Sequence, residues 1–172
     1  MATHVTADRW WIRRIHASDR AGVRDFYAAL TENSRESRFH GGMAGVSERV
    51  AAAFCHPDHE HREGFVAVVA GAAGDRVIGH LCLEPIDDGD LEVAVAVADA
   101  FQGHGVGRAL LRAAVAWARK HGYVRLTAIV RPTNGAMLGL LRSTDLPIAM
   151  SADDLDEVEA VLDLTTPLTR AA

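Results

Sequence analysis

The feature that most narrows what this chain can fold into is the run LEVAVAVADAFQGHGVGRALLRAAVAW, residues 91–117. It opens with an apolar stretch of strand length, residues 91–98, then a glycine-spaced loop, Gln102-Gly103-His104-Gly105-Val106-Gly107. A helix follows, in which Val106, Ala109, Leu110, Ala113, Ala114 and Trp117 recur at the spacing of one buried face. Strand, glycine loop and helix together can cradle an anion. Glycine lets a ligand approach the backbone closely, and free N–H groups point outward at the positive end of the helix dipole.

Spacing narrows the ligand. A dinucleotide fingerprint beginning at Gly103 needs a third glycine where Arg108 stands, and a nucleoside-triphosphate loop needs a lysine directly after Gly107. What the chain has is Gln-x-x-Gly-x-Gly, at Gln102, Gly105 and Gly107. This resembles the pyrophosphate loop of the GNAT acetyltransferase superfamily, whose cofactor is acetyl-CoA. Glycines alone would equally suit a tight strand-to-helix turn; the flanking strand and amphipathic helix favour coenzyme A.

Composition sets the outer limits. A chain of 172 residues suits one domain with a sizeable core, residues 1–172, ending in a short tail at 165–172. A net charge of −5 with no basic stripe argues against a nucleic-acid partner. The longest apolar runs fall far short of the ~20 residues that span a bilayer, and the N-terminus lacks a secretory pattern. Cys55 and Cys82 make no disulfide framework. A cytoplasmic protein with no membrane partner is expected, as monomer or homodimer.

Apolar periodicity predicts the other elements. Strands are expected at 10–15, 65–70, 77–83, 91–98 and 124–130, and helices at 47–54, 106–120 and 134–143. A further helix, capped by Ser18 or Asp19, buries Val23, Phe26, Tyr27 and Leu30. Residues 31–45 are polar and end in glycine, so they read as a loop with at most a helical turn. The His-rich piece 55–61 is broken by Pro57 and has no regular ligand spacing, so it reads as a polar loop and no metal is expected. Residues 147–150 and 157–164 read as strands, with a terminal acidic helix from Asp153 as the alternative for the latter. Hairpins in the first half and a β-α-β crossover in the second imply a mixed α/β fold.

That order resembles the GNAT fold over nearly the whole chain. The resemblance implies a mostly antiparallel sheet of about seven strands flanked by about four helices. More narrowly, the run from Glu92 to Gly107 is similar to the catalytic domain of bacterial Pat-type protein lysine acetyltransferases, whose pattern is E-x-A-x-x-V-A-D-x-[FWY]-Q-G-x-G-[IVL]-G. The stretch from Arg13 through Asp19 to Ser34-Arg35-Glu36-Ser37-Arg38-Phe39 is similar to that group's start.

The resemblance implies a site. The diphosphate would rest on the backbone of Gln102, Gly103, His104, Gly105, Val106 and Gly107, with Arg108 and Ala109 beginning the helix. The pantetheine arm would pair with the strand near Val95, Val97 and Ala98, beside a face made small by Ala94, Ala96 and Ala98. Asn134 would complete the cofactor contacts. A free lysine, with a pKa near ~10.4, must lose a proton before it attacks, and a carboxylate can take it directly or through a water. Glu92 stands where the Pat-type pattern places its catalytic glutamate, with Glu84 in reserve. The tyrosine that many GNAT enzymes carry seven residues after that asparagine, to protonate the thiolate, is Leu141 here, and the usual Leu-Gly-Phe after the helix is Thr144-Asp145-Leu146.

The function implied is acetyl transfer from acetyl-CoA to an amine, with a protein lysine as preferred acceptor and Glu92 as base. A small-molecule amine acceptor, or a non-catalytic CoA-binding sensor, are the alternatives. The acidic turn at Asp87, Asp88 and Asp90 could attract either kind of cationic acceptor.

Overall fold

A computed structural model of the chain describes residues 9–39, 45–71, 74–86, 89–153 and 157–166. Its strands are β1 (Trp10–Arg14), β2 (Glu63–Val69), β3 (Arg76–Pro85), β4 (Asp90–Val97), β5 (Arg125–Val130), β6 (Ile148–Asp153) and β7 (Glu157–Asp163). Its helices are α1 (Arg20–Ala29), α2 (Glu32–Phe39), α3 (Glu48–Phe54), α4 (Val106–Lys120) and α5 (Gly135–Arg142). One sheet runs in the order β1-β2-β3-β4-β5-β7-β6. Every neighbouring pair is antiparallel except β4 and β5. The mixed, mostly antiparallel seven-stranded fold implied by the sequence is the fold observed.

One expectation is corrected, and one open choice is decided in favour of the strand. The polar segment 31–45, expected as a loop with at most a helical turn, contains a true helix, α2, one of five α-helices among the described residues. No side chain of α2 is buried, so no apolar period marked it. The C-terminal segment is the strand β7, not an acidic helix: Ala160 and Leu162 are fully buried and pair with Ala128 and Leu126. The turn residues Asp87 and Asp88 lie outside the described residues.

The sheet is covered on both faces. On one, α4 lays Leu110, Leu111, Ala114, Trp117 and Ala118 on Leu81, Leu83, Val93 and Leu126, a large apolar core. On the other, α1 and α3 bring Val23, Phe26, Tyr27 and Ala51 against Val66, Val68, Val77 and Ala96. Asp19, expected as a helix cap, instead holds the Arg13 guanidinium with both carboxylate oxygens at 2.7 Å and accepts from the His16 amide at 2.8 Å. In the His-rich loop, Asp58 Oδ1 accepts from the amides of Glu60, His61 and Arg62, and His59 Nδ1 lies 2.8 Å from Glu63 Oε1. Among the described residues no helix is long and apolar enough to cross a membrane.

The pairing that positions the site is the short one. β4 follows β3 over its whole length, from Leu91 to Val97. It meets β5 only at Asp90, Leu91 and Glu92. An ion pair locks this closed end: Asp90 receives Nε and Nη2 of Arg125, both at 2.7 Å. Past Glu92 the two strands part.

Candidate functional site

A cavity of about 740 Å³ opens where β4 leaves β5. Its floor is β4 from Glu92 to Val97, and its walls are α2, the glycine loop and α5. Within β4 the main-chain groups alternate in direction. The Ala98 amide, just past the strand, donates to Ile78 on the β3 side at 2.8 Å. By that alternation Val93, Val95 and Val97 turn their N–H and C=O groups the other way, towards the gap. Gln102 Nε2 donates to the Val97 carbonyl at 3.1 Å. The pairing edge of β4 is therefore centred on Val95. The backbone of Ala98 is engaged elsewhere, its amide with Ile78 and its carbonyl with the Phe101 amide at 2.8 Å.

The glycine loop ends in the start of α4. Gly103 and Gly105 hold φ of 76° and 83°, in the left-handed region where a Cβ is strained. Gly105 is the N-cap, and the first helical bond runs from the Ala109 amide to the Gly105 carbonyl at 3.0 Å. The amides without an intrahelical acceptor are thus those of Gly105, Val106, Gly107 and Arg108. Gly105, Gly107 and Arg108 line the cavity together with Gln102 and Gly103. A Cβ on Gly107 would stand 3.3 Å from Leu140, so this glycine also lets α5 close over the start of α4. Four convergent amides at the positive end of a fifteen-residue helix fit a diphosphate.

The remaining expected residues fall into two groups. Asn134 lines the cavity and caps α5, its Oδ1 accepting from the Met137 amide at 3.0 Å. Three others do not line it. His104 is exposed, with Nδ1 2.8 Å from the Gln102 carbonyl. Val106 buries its side chain in the core and offers only its amide. Ala109 spends its amide on the first helical turn. Leu141, at the place of the usual tyrosine, is fully buried beneath α5.

Glu92 lines the cavity at its closed end and is exposed. Its direct cross-strand partner is Glu84. That neighbour is engaged by Arg62 through Nε and through Nη2, the latter at 2.6 Å, so Glu92 is the carboxylate left facing the space.

Sequence reading named Arg38 only within the stretch similar to the Pat-type start, as part of a segment expected to be a loop, and gave it no role. Helix α2 hangs from Asp99 of the motif. That carboxylate accepts from the Thr31 amide at 3.0 Å, Thr31 Oγ1 at 2.8 Å and Ser34 Oγ at 2.7 Å. Burial opposes ionisation of Asp99, but the Ser34 and Thr31 donors outweigh it and hold its pKa below the ordinary value. At the other end Arg38 lies with its guanidinium carbon 4.9 Å from the Phe39 ring centre and 5.7 Å from that of Phe54. The available signal was Thr31 followed by Glu32, since Thr31 Oγ1 accepts from the Ser34 amide at 3.3 Å as a helix cap does.

Comparison with known proteins agrees with this geometry. A model of the acetyltransferase (GNAT) family matches residues 22–144. An acetyltransferase of Pseudomonas aeruginosa is 28% identical over 151 residues, which are 86% of this chain and 80% of that protein. The crystal structure of the GNAT domain of S. lividans PAT superposes with a TM-score of 0.81 at 26% identity, covering 95% of this chain and 99% of that one. The ribosomal-protein-S5-alanine acetyltransferase of Vibrio fischeri shares the fold at a TM-score of 0.71 and 13% identity, over 90% and 92% of the two chains. The chain belongs to the acetyltransferase (GNAT) family, whose members transfer an acetyl group from acetyl-CoA to an amine.

Proposed function

We propose that this acetyltransferase acts on a lysine side chain of a protein, by direct attack, with Glu92 as general base. The observation that carries the reading is the position of Glu92: an exposed carboxylate at the closed end of the β4–β5 gap, with its neighbour Glu84 occupied by Arg62. The similarity of the motif to Pat-type enzymes and the likeness to the GNAT domain of S. lividans PAT support a protein acceptor.

In this reading the amides of Gly105 to Arg108 receive the diphosphate, and Val95 pairs with the pantetheine arm. Glu92 removes one proton from the acceptor ammonium, directly or through a water. The freed nitrogen lone pair then attacks the thioester carbonyl. A C–N bond forms, the C–S bond breaks, and the sulfur leaves with the electron pair and takes up the second nitrogen proton as the amide forms. No tyrosine lines the cavity: Tyr27 is buried, and Tyr123 donates to the His61 carbonyl at 3.2 Å. The leaving thiolate, of ordinary pKa near ~8.5, departs without a phenolic acid.

Thiol release from acetyl-CoA, followed with a lysine-containing protein and with small amines, tests the assignment. Glu92→Gln should keep CoA affinity and turn over at least about ten-fold more slowly, about 1.4 kcal/mol in the barrier. Unchanged turnover removes Glu92 from the role. CoA binding without turnover of any amine would mark a non-catalytic module.

A further inference from the structure

The buried polar groups beside the acceptor end of the cavity surround a cation that none of them balances. Arg38 lines the cavity and is only partly exposed. Its Nη2 donates to Cys82 Sγ at 3.3 Å, and its Nε is buried without a hydrogen-bond partner. Among the described residues no carboxylate lies within ion-pair distance of it. The side chains beneath it are neutral near pH 7. Burial pushes the Tyr27 phenol up to about 12 and raises the Cys82 thiol, and burial together with the Arg38 charge pushes His80 down to about 3. The rings of Phe39 and Phe54 give the guanidinium a partial counterweight, but a half-buried cation without an ion-pair partner remains costly.

The sheet register locates Arg38 relative to the reacting end. Cys82, which it touches, pairs with Ala94, while Glu84 pairs with Glu92. These two pairs are successive positions on one sheet face, about 7 Å apart along the strands. The cavity therefore holds two charges of opposite sign on one face, Glu92 and Arg38, which form no ion pair with each other although the Glu92 charge acts on the guanidinium from a distance.

From this arrangement we infer that Arg38 is a subsite for a carboxylate of the acceptor, so that the preferred substrate is an amine carrying a carboxylate a few bonds away. The inference rests on the reading above, with the amine beside Glu92, and names the class of acceptor for it. Two acceptors offer this chemistry: a lysine peptide with an acidic residue next to the lysine, and a free amino acid with its own carboxylate. A guanidinium receives either through two parallel N–H donors.

The test compares matched acceptors at saturating acetyl-CoA. One arm uses a lysine peptide with a neighbouring Glu against the same peptide with Gln. The other uses Nα-acetyl-lysine against its amide. In at least one arm wild-type enzyme should favour the carboxylate about ten-fold or more in kcat/KM, mostly through KM. The arm that responds identifies the source. Arg38→Met and Arg38→Gln, two neutral replacements of different shape, should bring that ratio near one and leave CoA affinity unchanged, while Arg38→Lys should keep part of it. Calorimetry of each carboxylate against the CoA-loaded protein reads the same subsite without requiring transfer. Equal use and equal binding of acid and amide by wild type in both arms would overturn the inference, as would a preference that survives both neutral variants. Failure of the base assignment is distinguishable: Glu92→Gln would then keep full turnover, whatever the acceptor ratio.

Discussion

The two faces of the sheet are built on different principles. Under α4 the core is chiefly apolar, from Leu110 and Leu111 to Leu81, Leu83 and Leu126. On the other face, Tyr27 of α1 and Arg38 of α2 meet His80 and Cys82 of the same sheet, with Tyr27 Oη 2.8 Å from His80 Nδ1. The apolar face fixes the start of α4 and so aims its amides. The polar face brings Glu92 and Arg38 to the same stretch of cavity. Rigidity and chemistry are separated by one layer of strands.

Removing a side chain from the apolar face should have the largest effect. Leu110 is fully buried, and Leu110→Ala should cost about 2–5 kcal/mol in urea denaturation. A much smaller loss would mean that this face is not the stable one.

Acid should act on the other face. His80 is held near 3 by burial, so between that value and the ordinary ~6.5 the unfolded chain binds a proton that the folded one does not. This contribution to stability is complete above about pH 6.5 and declines as pH falls, by about 2 kcal/mol at pH 5. His80→Gln should lack that part of the slope, whatever its absolute stability. Equal slopes in variant and wild type would show that His80 is not held neutral.

Turnover sharpens the contrast next. Glu92→Gln, the at least ten-fold loss of rate described above, should leave the urea midpoint unchanged, since the side chain is exposed. A shift in the midpoint would tie catalysis and stability to the same groups.

The smallest effect belongs to α2. Asp99→Ala should cost about 1 kcal/mol, the value of a lost cap. Faster amide hydrogen exchange should be confined to residues 32–39, with α4 unaffected. Because Asp99 titrates below its ordinary value, the same loosening should appear in wild type only as pH drops below ~4. Uniform exchange across both helices would dissolve the distinction between the faces.

The same division explains what could be read from the chain. The α4 face was legible because apolar spacing reports burial directly: Val106, Leu110, Ala114 and Trp117 were expected inside and are. Likewise β7 was legible from Ala160 and Leu162 alternating with acids. Helix α2 was not, since its docking uses an Asp99 carboxylate sixty-eight positions from Thr31 and an arginine lying over two rings. The glycine loop was visible as spacing, but which amides stay free depends on where the helix begins, and Gly105 as cap leaves Ala109 out. The gap itself had no sequence signal. It exists because β4 pairs with β5 for three residues and then diverges.

The central claim is that the free amides of Gly105 to Arg108 grip a diphosphate. Calorimetric titration of CoA into wild type and Gly105→Val tests it most directly. A Cβ at Gly105 meets no atom within 4 Å, but φ of 83° is strained for valine, so the substitution disturbs the amides without a clash at Cβ. The account predicts one CoA per chain in wild type and an affinity at least about ten-fold weaker in the variant, about 1.4 kcal/mol. No binding by wild type, or equal affinity in the two proteins, would contradict it.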